Sequence, residues 1–148
     1  MCDERAVSVT VGYVLNFAVA ALLLSALMIG GGGLIESQTK QVTYDELTVT
    51  GQQLASEISS ADRLNRSGDT TELSVRADLP DRTAAGSYTI TIEHDGQTGS
   101  IELRSVDPEV VVTVPFRSES AVQNVTVNGG LLEVVYDDGD ARLEVVER

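Results

Sequence analysis

The sequence predicts an α+β protein: a long N-terminal hydrophobic helix followed by a small antiparallel β-sandwich or partly open β-barrel. Three observations carry that expectation. No charged residue stands between Arg5 and Glu36. From Tyr44 to Ala61, apolar or small residues recur at steps of three and four. From Glu72 onward the period becomes two.

The uncharged stretch from Val7 to Ile35 has 29 residues. As a helix rising about 1.5 Å per residue it covers about 43 Å, enough to cross a bilayer core of about 30 Å. A secretory signal has a basic start and an apolar run of about 7 to 15 residues before its cleavage site. Here Asp3 and Glu4 oppose Arg5, and the run is about twice that length. The segment is therefore expected to stay in the membrane rather than be released near Gly31. It is not uniformly greasy, because Ser8, Thr10, Gly12, Asn16 and Ser25 interrupt it and several alanines keep it narrow. Small and polar residues in a membrane helix usually face other helices. Gly12, Asn16, Ala21 and Ser25 are thus the expected helix-packing residues.

Gly30 to Gly33 mark a bend or a membrane exit; the lysine and hydroxyl residue of a phosphate loop are missing. Beyond them, Tyr44, Leu47, Gly51, Leu54, Ile58 and Ala61 form a heptad-like seam. Either a partner helix or the chain's own β domain would cover it. With Gly68 as the stop signal, the helix is expected over residues 7–65, membrane-spanning or filament-forming over 7–35, and the β domain over 66–148.

Within that domain, alternating apolar residues predict strands near 72–76, 87–93 and 101–104, then at 108–116, 121–127, 131–136 and 141–146. Asp95-Gly96, Asn128-Gly129-Gly130 and Asp138-Gly139 supply the turns. The segment from Pro108 to Phe116 is apolar on both faces and reads as a central strand.

Composition narrows the function. The chain carries 23 Asp and Glu against 10 Lys and Arg, a net charge of −13. Such a surface is wrong for nucleic acid, whose phosphates need a basic face. With one lysine, Lys40, it suits very high salt, where self-repulsion is screened. Cys2 has no partner for an internal disulfide. His94, the single histidine, sits before a turn and reads as solvated; no catalytic set or zinc site can be built around it. Asp137, Asp138 and Asp140 offer oxygen ligands for calcium but lack the spacing of an EF-hand, and a hairpin turn explains them. No enzyme, cofactor or metal is expected. Asn65-Arg66-Ser67 and Asn124-Val125-Thr126 are glycosylation sequons, Asn65 at the helix end and Asn124 on an outer strand face.

Arg5-Ala6, followed by Val7-Ser8 and an uncharged helix, resembles the class III signal of archaeal type IV pilins and archaellins. The resemblance covers residues 3 to about 35 by motif, and the rest by architecture. It implies cleavage by a prepilin peptidase after Ala6, with residues 1–6 as leader and Arg5, Ala6 and Val7 as the processing site. Bacterial relatives carry a glutamate at the fifth mature position; here it is Val11, which excludes registration by that carboxylate. The implied protein is a haloarchaeal, glycosylated subunit that rests in membrane lipid and then assembles, with its own copies or other pilin-like subunits, into a cell-surface filament. The alternative is a single-pass anchored extracellular β domain that never polymerises.

Overall fold

The structure, a computed structural model, describes residues 3–68, 72–137, 139 and 141–148, with side chains from Val9 onward except that of Asp137. One helix, α1 (Asp3–Arg66), precedes eight strands. These are β1 (Glu72–Asp78), β2 (Tyr88–Asp95), β3 (Thr98–Val106), β4 (Glu109–Arg117), β5 (Ala121–Val122), β6 (Val125–Asn128), β7 (Leu131–Asp137) and β8 (Arg142–Glu147). The fold is the expected α+β arrangement, with two open sheets rather than a closed barrel. Contacts divide the chain into two units, Met1–Gln38 and Thr39–Arg148.

In the first unit every described side chain from Val9 to Gln38 is exposed. Helical hydrogen bonding continues through Gly30–Gly33, so the glycines do not end the element. In the second unit α1 is a packing element. Leu47, Leu54, Ile58 and Ala61 are fully buried. Gly51 lies directly against Leu103 and Val114. The seam is therefore covered by the chain's own β domain. Tyr44 does not belong to it and is exposed; Thr43 takes the place, its hydroxyl donating to the Thr39 carbonyl so that it can be buried.

The sheets are β1-β7-β8-β5 and β4-β3-β2-β6. All pairs are antiparallel except β5 with β8, which is parallel. Leu132, Val134, Leu143 and Val145 from the first sheet meet Ile90, Ile92, Ile101, Leu103 and Val112 from the second in one buried cluster with the helix.

Two sequence expectations are corrected. The single strand expected over 121–127 is two strands in different sheets: β5 joins β8, and after Gln123-Asn124 the chain crosses to pair β6 with β2. The segment expected to be central is an edge strand. In β4, Val110, Val112, Val114 and Phe116 face inward while Val111, Thr113 and Pro115 face out. Pro115 has no amide hydrogen to give a second neighbour, which fits an edge.

His94 is also not a solvated turn residue. It belongs to β2 and is half-buried, its ring 5.7 Å from that of Phe116 in a stacked pair. Its Nδ1 accepts from the Val122 amide at 3.3 Å, and Nε2 lies 3.4 Å from the Ser118 carbonyl. The histidine thus fastens the crossing between the sheets. Opposite Phe116 in the β3–β4 register is Gly99, where a side chain would collide with the phenyl ring.

Candidate functional site

The feature most in need of a partner is the N-terminal half of α1. It is long and apolar enough to cross a membrane, with a mean hydropathy of 2.2 over its most apolar window, none of it buried. Leu15, Phe17, Leu22, Leu27, Met28 and Ile29 are all largely exposed. Apolar surface on this scale is stable only against lipid or other protein. The segment therefore suits association with a membrane.

Helix geometry sorts the packing residues. At about 100° per residue, Gly12 and Asn16 lie about 40° apart on one side, with Val19 and Ala26 just beyond Gly12 and with Leu23 and Leu34 further along the same side. Ala21 and Ser25 lie on the opposite face, about 180° away, with Val14 and Gly32. Leu15, Leu22 and Ile29 form one bulky flank between these faces, and Tyr13, Phe17 and Leu24 the other. The Ser25 hydroxyl donates to the Ala21 carbonyl at 2.9 Å, which satisfies it within the helix. Among the described residues the Asn16 amide has no such bond.

Arg5, Ala6 and Val7 lie within α1, but their side chains, like those of Asp137, Asp138 and Asp140, are outside the described residues. Asn65 is half-buried and its Nδ2 donates to Ser120 Oγ at 3.2 Å. Asn124 is exposed, and its Oδ1 accepts from the His94 amide at 2.8 Å.

Sequence reasoning missed a clamp where α1 ends. Asp62 is buried; its Oδ1 accepts from the Ser120 amide at 2.8 Å and the Ser118 hydroxyl at 3.3 Å. Its Oδ2 meets Arg66 Nε at 3.3 Å, and the same guanidinium reaches Glu119. Burial by itself would raise the Asp62 pKa. The Ser120 bonds, the Arg66 charge and the Ser118 hydroxyl outweigh that and hold it below the ordinary carboxylate value. The only sequence signal was an aspartate at a seam-flanking position. A second missed anchor is Tyr88, whose hydroxyl donates to the Pro80 carbonyl at 2.7 Å. Burial first, and then the Asp81 charge, push its pKa up to about 12 against the opposing Thr50 hydrogen bond.

Among the described residues no group of three or more His, Cys, Asp or Glu is placed to hold a metal ion. A family of unknown function, DUF7266, matches residues 2–146. The chain belongs to this family. No curated protein and no solved structure matches it. The DUF7266 match spans both the uncovered helix and the β domain.

Proposed function

We propose that this DUF7266 protein is a pilin-like subunit of an archaeal cell-surface filament. It is cut between Ala6 and Val7 by a prepilin peptidase and held in the membrane until assembly. The observation that carries this reading is the uncovered N-terminal half of α1, which sets small or polar residues on two opposite sides, Gly12 and Asn16 on one and Ala21 and Ser25 on the other. A closed two-fold dimer uses one self-complementary face; two different faces on opposite sides suit a head-to-tail array, which propagates unless its rotation closes. Gly12 and Ala21 let a neighbouring backbone approach where they stand, and Asn16 can bond across the interface in place of lipid. The β domain would lie outside the cell, with Asn124 the better glycan acceptor. Its exposed amide nitrogen is free of a partner among the described residues, whereas Asn65 would have to release Ser120.

The alternative, a single-pass anchored domain, shares the lipid-facing helix and needs neither pair of small or polar residues. Electron microscopy of surface filaments from the native host, with intact-mass analysis of their subunits, separates the two. The expected result is filaments containing this chain without residues 1–6. A native N-terminus near Gly32 overturns the pilin reading, and a retained Met1 on unpolymerised membrane protein establishes the anchor.

A further inference from the structure

Where α1 ends beside β4 lies a surface pocket of about 330 Å³, lined by Arg63, Arg66, Arg117, Gln97, Asp62 and Glu119 among others. Three of the nine arginines in the chain meet here, in a unit that has 20 acidic residues against 9 basic ones from Thr39 to Arg148. The two acids of the pocket are both engaged by Arg66. Arg63 uses only its Nε, to the Ser59 carbonyl at 3.2 Å. The Arg117 guanidinium has no hydrogen bond or ion pair among the described residues. Arg63 and Arg66 are placed to offset the negative end of the helix dipole. That does not account for Arg117, which closes β4 and reaches the pocket from the sheet. The result is a concave, net-positive spot on an otherwise strongly negative surface, with two guanidinium groups whose donor forks remain open.

We propose that this pocket is an oxyanion site that takes a carboxylate. A guanidinium presents paired N–H donors matched to the two oxygens of a carboxylate, and two such forks on neighbouring elements can grip one group from both sides. The carboxylate comes either from an acidic side chain of a second copy of this acidic chain or from a free small dicarboxylate. Neither source depends on the filament reading.

The test titrates disodium succinate into the full-length chain in detergent micelles, against sodium chloride at matched ionic strength, by calorimetry. Saturable succinate binding is expected. Arg63→Gln with Arg117→Gln should weaken it about tenfold or more, while Arg117→Lys, which keeps charge but not the fork, should fall between. Circular dichroism checks that the double variant keeps its sheets. If it does not, Arg117→Gln alone, which removes an exposed side chain, carries the comparison. Equal heats for succinate and chloride, or for wild type and the folded variant, overturn the site. Sedimentation of the same samples distinguishes the sources. Succinate that dissociates wild-type oligomers but not the variant's identifies a second copy, and succinate that binds without changing oligomer size identifies a free ligand. A chain that stays monomeric throughout counts against the filament, and the titration still decides the pocket.

Discussion

A β-carbon placed on Gly51 would stand 2.7 Å from Cγ2 of Val114. The same atom would stand 2.7 Å from Leu103 Cδ1. The helix therefore touches the β3–β4 hairpin backbone-close at this one turn. Any larger residue gains helix propensity of about 1 kcal/mol over glycine but must push apart a core that is already closed. Gly51→Leu is expected to destabilise the second unit by about 1–3 kcal/mol net. Urea titration of the full chain, followed by circular dichroism, measures it; unchanged stability would show that the helix does not dock here.

Asp62→Ala removes the acceptor for the Ser120 amide, while the Ser118 hydroxyl keeps the Ser120 carbonyl at 2.7 Å. Leaving a buried donor unpaired costs about 1–3 kcal/mol. The lowered pKa adds a pH signature. A depressed carboxylate contributes stability above its unfolded value of 3.8, and that contribution is lost as pH falls through the folded value. Wild type should therefore lose stability below about pH 4 more steeply than Asp62→Ala. Parallel acid-melting curves for the two proteins would contradict the clamp.

At the alkaline end the sign reverses. The Tyr88 pKa is raised from 10.0 to about 12, so the folded state holds a proton that the unfolded chain gives up first. Stability from this group is complete below pH 10 and declines as pH rises toward 12. Tyr88→Phe should cost about 1 kcal/mol at neutral pH through the lost Pro80 bond, and should flatten the decline above pH 10. Chemical denaturation at pH 8 and near pH 11 gives both quantities.

Asn16→Leu and Ala21→Leu probe the two faces of the uncovered helix separately. The first removes an interhelical bond worth on the order of 0.6–2 kcal/mol and adds apolar surface for lipid; the second adds bulk where backbones approach. Both should leave melting of the β domain unchanged, preserve membrane retention and reduce filament yield. A solitary anchor predicts unchanged or improved surface display for both. Filament mass against membrane-bound protein, at matched expression, is the measurement.

Salt should matter to the second unit. With 20 acidic and 9 basic residues over Thr39–Arg148, self-repulsion grows as screening falls. The melting temperature of the full chain in neutral detergent should drop between molar salt and about 0.1 M, where screening extends to about 10 Å. A flat profile would remove the halophilic reading.

Most of the architecture was legible because burial writes itself into period. Leu47, Leu54, Ile58 and Ala61 announced a helix face, and Tyr88, Ile90 and Ile92 a strand face. Period does not say what covers a face, so the seam could not be assigned to the β domain until Gly51 was seen against Val114. The crossing between sheets did leave a trace. Val122 and Val127 are both buried although they differ in parity, which one regular strand cannot manage. Pro115 likewise hinted at the edge. The Asp62–Ser120 clamp left none, because a polar contact across 58 residues has no periodic signature.

That Val9–Gln38 contributes nothing to the core while Leu47–Ala61 is locked into it divides the chain's genetics. Substitutions in the first stretch escape any selection for folding and answer only to lipid or neighbouring helices, so their defects should be dominant in mixed populations and repairable by second-site changes on the opposite face. Substitutions in the second stretch should be recessive, lowering abundance, with suppressors confined to β3, β4 and their neighbours. One continuous helix thus carries two classes of allele, told apart by whether a wild-type copy rescues or is poisoned.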